Sequence, residues 1–135
     1  MINKRVFIVV LLALLPALAA CQPASDARAQ FCAGLRDLEP AVTQLVEGKD
    51  IENAGQLKQQ LVLFRDSLSL VVSQASQISN LSLDNLIQSL ETYEAKVKAL
   101  PDDMPMQQVM ANVGDAAGKF RKSYDDIAGA VCAAK

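Results

Sequence analysis

The sequence contains no histidine among its 135 residues, and it has only three cysteines. Without histidine, the chain cannot form a Ser-His-Asp triad, a Cys-His dyad or a histidine-ligated metal site. Its 13 basic and 15 acidic side chains nearly balance, so it lacks the positive charge that is typical of nucleic-acid binding. These absences predict a protein that is not an enzyme, uses no cofactor and binds no nucleic acid.

The first 20 residues have the pattern of a targeting segment. Lys4 and Arg5 form a positive n-region, and an apolar stretch of 15 residues follows from Val6 to Ala20, interrupted by Pro16. A membrane-spanning helix needs about 20 apolar residues, so this stretch is short for a span and suits a secretory signal peptide. We therefore expect residues 1–20 to be a cleaved signal peptide.

The end of this segment contains the four residues Leu18-Ala19-Ala20-Cys21. They resemble the lipobox of bacterial lipoproteins, which has the pattern L-[AS]-[AG]-C. The resemblance covers residues 1–21 and implies that the Cys21 thiol is lipidated, that signal peptidase II cuts before Cys21, and that Cys21 becomes the mature N-terminus. The ordinary alternative is a cleaved signal in which Cys21 is incidental.

The same resemblance implies a location at the cell envelope. A lipid anchor at Cys21 would hold the protein on the extracytoplasmic face of a membrane, with residues 21–25 as a short tether. In lipoproteins of hosts with two membranes, Asp after the lipidated cysteine causes retention at the inner membrane. Gln22 occupies that position here, which implies the periplasmic side of the outer membrane if the host is Gram-negative.

The two remaining cysteines, Cys32 and Cys132, lie near the two ends of the remaining chain. Exported proteins fold in an oxidising compartment, where an even pair of cysteines is typical of a disulfide. We therefore predict a Cys32–Cys132 disulfide.

Residues 26–135 are predicted to form one all-α helical-bundle domain. Four segments repeat apolar residues three or four positions apart, the pattern of packed helices, and in the first three segments the two spacings alternate as in heptads. Gly48 and Pro101 are natural ends for the first and third helices, Ser82 is a natural N-cap, and Pro105 suits the start of the fourth helix. Pro40 is expected to kink the first helix or split it in two.

The apolar seams that define these helices are as follows: Phe31, Leu35, Leu38, Val42 and Leu45; Leu57, Leu61, Phe64, Leu68, Val71, Ala75 and Ile78; Leu83, Leu86, Leu90, Tyr93, Val97 and Leu100; Met106, Val109, Val113, Ala116, Phe120, Tyr124, Ile127 and Val131. Gly114 and Gly118 form a small-xxx-small pair in the fourth segment, which we interpret as a site where a neighbouring helix approaches closely.

The connections between the four segments are short, which favours an antiparallel up-down-up-down four-helix bundle. This arrangement brings the start of the first helix beside the end of the fourth, where Cys32 and Cys132 lie. The bundle would then be closed by the disulfide at the end nearest the lipid anchor. The first and third loops would lie at the far end. This distal end, or one helix face, is the first place to look for a partner.

The leading functional hypothesis is a lipid-anchored envelope protein with a non-enzymatic binding or structural role and a possible envelope protein partner. The alternative is a carrier of a small ligand or metal. An internal cavity lined by Phe64, Tyr93 and Phe120 would favour that carrier. Three methionines, Met104, Met106 and Met110, are weak candidate Cu(I) ligands, and the simpler interpretation is that they fill gaps near a helix start.

Overall fold

A computed structural model describes residues 24–133, and the regular structure in this range is helical. No strand occurs among these residues. Asn53 and Pro105 form an isolated β-bridge that belongs to no strand. The predicted all-α class is therefore confirmed. The four helices are α1 (Ala24–Glu47), α2 (Ala54–Ala75), α3 (Asp84–Lys98) and α4 (Met106–Cys132).

The hydrophobic core is built from the predicted seams. Every seam residue from Leu57 to Ala75 in α2 is buried, and Phe120 and Tyr124 of α4 are buried as well. Ile78, the last residue of the predicted α2 seam, lies beyond the end of the helix and is only partly buried. The heptad spacing therefore identifies the buried face of each helix, and the predicted seams also extend to the partly buried Leu100, Met106, Ile127 and Val131.

Pro40 does not split the first helix. α1 continues through Pro40 as a single helix of 24 residues, so the expectation of two separate helices is wrong. The flanking seam residues Leu38 and Val42 are both buried in the same core. Their burial holds the two halves of α1 together and outweighs the backbone hydrogen bond that proline removes.

The helix boundaries predicted at Gly48, Ser82 and Pro105 agree with the structure to within a residue or two. Gly48 follows α1 with φ of 66°, a conformation that glycine adopts at no steric cost. Ser82 lies one residue outside the N-cap position of α3, and its Oγ accepts a hydrogen bond from the Asp84 amide at 3.2 Å. Pro105 is the residue before α4 and not the first residue within it.

The connection between α1 and α2 is hydrogen-bonded to the connection between α3 and α4. These bonds satisfy the first amides of α2 and α4, which have no partner inside their own helices. Asn53 Oδ1 accepts a further bond from the Gln56 amide at 3.0 Å. The three backbone bonds between the loops are Ala54 N to Met104 O at 3.0 Å, Gly55 N to Asp102 O at 2.9 Å, and Met106 N to Glu52 O at 3.0 Å.

Cys32 and Cys132 form a disulfide, as predicted, across 100 residues of sequence. The bond joins the N-terminal part of α1 to the last residue of α4. Elsewhere in the bundle α1 packs against α2 and α4, α3 packs against α4, and α2 and α3 pack least closely. The covalent link thus reinforces the contact between the first and last helices.

The glycine at which two helices approach closely is Gly34, not Gly114 or Gly118. A Cβ atom at Gly34 would lie 2.9 Å from Val71 Cγ2 and 3.0 Å from Gln74 Oε1, whereas a Cβ at Gly114 or Gly118 would meet nothing within 4 Å. The interpretation of the Gly114–Gly118 pair as a helix contact is therefore wrong. Among residues 24–133, both positions therefore leave free space for an added methyl group.

This difference predicts opposite effects for two glycine-to-alanine substitutions. Gly118→Ala is expected to raise the free energy of unfolding by up to about 1 kcal/mol, because alanine is the better helix former and has free space. Gly34→Ala gains the same helix propensity, but its added methyl group overlaps the stiff, buried side chain of Val71. Such overpacking costs about 1–3 kcal/mol. We expect a net loss for Gly34→Ala in urea denaturation of the oxidised protein. Midpoints that rise in both variants would show that α1 and α2 are not in close contact there.

Candidate functional site

The centre of the bundle is occupied by the three aromatic residues that could have lined an internal cavity. The Phe64 and Phe120 rings meet edge to face with centroids 5.6 Å apart, and the Tyr93 ring stacks on Phe120 at 6.2 Å. All three side chains are buried. These rings therefore contact one another at the positions where a ligand cavity was considered.

The two tyrosine hydroxyls bind backbone carbonyls of α1. Tyr93 donates to the Leu45 carbonyl at 2.6 Å, and Tyr124 donates to the Leu35 carbonyl. Leu45 lies in the last turn of α1, where carbonyls have no intrahelical donor. Burial raises the pKa of Tyr93 well above its usual value and that of Tyr124 to about 12. Both phenols are therefore uncharged near neutral pH and act as structural hydrogen-bond donors.

The two connected loops, residues 48–53 and 99–105, form an end of the molecule that we call the distal end. Lys58 Nζ reaches it from α2 and donates to the Leu100 carbonyl at 2.7 Å and to Asp102 Oδ1 at 2.6 Å. The exposed side chains here are mainly polar or charged, including Lys49, Asp50 and Asp103. The distal end is thus a hydrogen-bonded polar surface.

Exposed apolar surface is concentrated on α2. Val62, Leu63 and Leu70 are the large hydrophobic residues that are most exposed among those described, at 60%, 59% and 68%. Single exposed apolar residues are ordinary on protein surfaces. Three on one helix make α2 the best candidate for a contact surface, with Val62 on the flank that faces α3 and Leu63 and Leu70 on the other flank.

Two apolar sockets open between α2 and α3, on the flank of α2 that carries Val62. The first socket has a volume of about 260 Å³, and the second has a volume of about 230 Å³. Buried leucines belong to the lining of each, Leu61 in the first and Leu68 and Leu90 in the second. The first is lined by Lys58, Leu61, Val62, Arg65, Asp66, Glu94 and Lys98, and the second by Arg65, Leu68, Ser69, Val72, Ile87 and Leu90.

An ion pair between Arg65 and Glu94 separates the two sockets. Arg65 Nε donates to Glu94 Oε1 at 3.0 Å, and Arg65 Nη2 donates to Glu94 Oε2 at 2.7 Å. Glu94 is buried at 6% exposure, whereas the Arg65 side chain is half exposed. The hydrogen bond to Glu94 raises the pKa of Arg65. This two-pronged contact ties α2 to α3 where they pack least closely.

The positions of Arg65 and Glu94 in the sequence could have predicted this pair. Arg65 follows the seam residue Phe64, and Glu94 follows the seam residue Tyr93. Opposite charges beside the seams of two adjacent helices are typical of interhelical ion pairs. The exposed residues Leu63 and Leu70 had a signal too, since they are apolar, lie off the seam and are seven residues apart.

A polar groove of about 480 Å³ runs between α3 and α4. Lys122 and Asp126 pair within it at 2.6 Å. Ligand sites are usually lined mainly by apolar side chains, so this groove is the weaker candidate. Its lining consists of Ser82, Asn85, Gln88, Ser89, Thr92, Ala116, Lys119, Lys122, Ser123, Asp126 and Ile127.

The three candidate Cu(I) ligands, Met104, Met106 and Met110, are partly buried and packed against the hydrophobic core. The Met106 side chain lies over Gly48, where its Cε would be 2.6 Å from a Cβ atom. This environment is typical of methionines that fill gaps between helices. Within residues 24–133 no group of three or more His, Cys, Asp or Glu side chains could hold a metal ion.

The predicted signal peptide, the lipidation residue Cys21 and the sorting residue Gln22 lie outside the described residues. α1 begins at Ala24, three residues after Cys21. Within residues 24–133, no helix combines the length and apolar character that a membrane crossing requires.

No protein-family model matches the chain, and neither a curated protein nor a solved structure matches it.

Proposed function

We propose that this chain is a lipid-anchored protein of the cell envelope with a non-enzymatic binding role, and that the α2–α3 side of the bundle is its contact surface. The lipobox-like residues Leu18 to Cys21 support the anchor. One observation carries the binding role: α2 exposes Val62, Leu63 and Leu70 and borders two open apolar sockets, while the aromatic residues at the centre of the bundle pack on one another.

The four helices are proposed to run up, down, up and down as antiparallel neighbours. Three observations support this topology. The loops 48–53 and 99–105 bind each other, and the disulfide joins the N-terminal part of α1 to the end of α4. In addition, the socket residues advance along α2 from Leu61 to Leu68 as they go back along α3 from Glu94 to Ile87.

The proposed anchor orients this bundle on the membrane. The chain from Cys21 to Ala24 can extend on the order of 10 Å at about 3.3–3.6 Å per residue. The disulfide-bonded end would therefore lie against the membrane, with the distal end pointing away. In this orientation α2 lies along the membrane normal. Its sockets open sideways, where other envelope proteins can reach them.

The Cys21→Ala substitution tests the anchor. The variant is expected to leave the membrane fraction in flotation of cell envelopes and to retain residues 1–20, because signal peptidase II requires the lipidated cysteine. Gln22→Ala is the matched control, and it is expected to remain in the membrane fraction because the lipobox is intact. A Cys21→Ala protein that is processed normally and still floats with membranes would refute the proposal.

A further inference from the structure

The two sockets repeat along the helices at the heptad distance. The α2 residues Leu61, Val62 and Arg65 line the first, and the residues seven positions later, Leu68, Ser69 and Val72, line the second. Seven residues of helix correspond to about 10.5 Å. Two holes at this spacing fit a further helix that inserts two side chains seven residues apart, as in knobs-into-holes packing.

The same helix carries two exposed side chains at that spacing. Leu63 and Leu70 are seven residues apart and 59% and 68% exposed. They are also level with the sockets, since Leu63 lies within the 58–66 span of the first and Leu70 within the 65–72 span of the second. Leu63 and Leu70, which we call the knobs, therefore match the sockets both in spacing and in position along the axis of α2.

Leu63 and Leu70 cannot fill the sockets of their own chain. Each precedes a socket residue, Arg65 or Val72, by two positions, and two residues turn an α-helix by about 200°. The leucines therefore project from the flank of α2 opposite to the sockets, and neither lines them. An occupant with this spacing has to come from another molecule.

We propose that the occupant is a second copy of this chain, whose Leu63 and Leu70 insert into the two sockets of its neighbour. This inference rests on the proposed anchor, because lipid-anchored copies stand on the membrane in one orientation and at one height. Sideways contact alone, without any shift along the helix axis, then brings the knobs level with the sockets. Confinement to a membrane also raises the effective concentration of one copy around another.

The residues around the knobs, Leu63 and Leu70, are more typical of a contact surface than of a solvated helix face. Exposed helix faces usually carry several charges, but the α2 flank around Leu63 and Leu70 carries one, Asp66, among the uncharged residues Gln56, Gln59, Gln60, Ser67 and Gln74. That one charge is negative, and the rim of the first socket carries three positive residues, Lys58, Arg65 and Lys98, against two negative ones, Asp66 and Glu94. Because knobs and sockets are different surfaces, the contact is heterologous and can continue beyond two copies.

Photo-crosslinking of the full-length chain in the envelope of expressing cells tests this inference. A photoreactive phenylalanine analogue is placed at Leu63, and the same analogue at Asp115, an exposed position on α4, is the matched control. We expect the Leu63 position to give covalent dimers and larger multimers of this chain, with the crosslinked peptides containing α3 residues near Ile87 or Glu94. The Asp115 position is expected to give none.

A double variant, Leu63→Gln with Leu70→Gln, provides a second readout in which folding is preserved because both side chains are exposed. With a lysine-reactive crosslinker, it is expected to lose the multimer bands that the unaltered chain gives. Crosslinks from position 63 to a different envelope protein, to a lipid or to nothing would each overturn the inference. If the chain floats with membranes but does not crosslink to itself, only this inference is refuted. If the chain crosslinks to itself but is absent from the membrane fraction, only the proposed anchor is refuted.

Discussion

Phe64→Ala is expected to lower the free energy of unfolding by about 3–5 kcal/mol, through the lost transfer energy of the ring and the cavity that remains. Phe64 is 3% exposed in the middle of the longest apolar seam. Its ring packs edge to face against Phe120, and Phe120 in turn stacks on Tyr93. The substitution therefore opens the aromatic centre of the bundle. Urea denaturation of the oxidised protein measures the loss.

Gln59→Ala is the matched control, because Gln59 lies on the same helix and is exposed. Its effect is expected to stay within about 0.5 kcal/mol, as is usual for surface substitutions. The disulfide cannot refill the cavity, so oxidation should not restore the Phe64→Ala protein. Equal midpoints for the two variants would mean that the α2 seam does not face the core.

The second large effect is expected from the disulfide. Replacing both cysteines, in the double variant Cys32→Ser with Cys132→Ser, should lower the free energy of unfolding by about 2–5 kcal/mol. The bond closes a segment of 100 residues, and the chain-entropy estimate for a loop of that size is about 4.7 kcal/mol. Total stabilities are typically about 5–15 kcal/mol, so the bridge would supply a large share.

Reduction of the unaltered protein is the control for this variant. Its midpoint with reductant should match that of the double variant without reductant, because both lack only the covalent link. The double variant is used because a single replacement would leave a reactive thiol. An unchanged midpoint, or two titratable thiols in protein taken from the envelope, would contradict the predicted contribution of the bond.

The sequence was sufficient to predict the helices and their buried faces. The heptad spacing from Leu57 to Ala75 depends on one helix at a time, and burial of that face is what makes the helix stable. The disulfide was predictable because only two cysteines remained once Cys21 was assigned to the lipobox. The possibility of a split at Pro40 arose because the cost of a proline was considered without the packing of Leu38 and Val42 on either side.

Features that depend on two helices together were harder to predict. The spacing of Gly114 and Gly118 suggested a helix contact, but spacing within one helix does not reveal which neighbour lies beside it. Gly34 belongs to no pattern and still meets Val71. The sockets and the Arg65–Glu94 pair arise from the mutual placement of α2 and α3, which no property of either segment alone determines.

The central claim is that this helical domain is held at the envelope by a lipid on Cys21. Its most direct test is mass spectrometry of the N-terminal peptide of the protein purified from the envelope of expressing cells. The account predicts a peptide that begins at Cys21 and carries the mass of a diacylglyceryl group. A peptide that begins at any other residue, or one that begins at an unmodified Cys21, would contradict it.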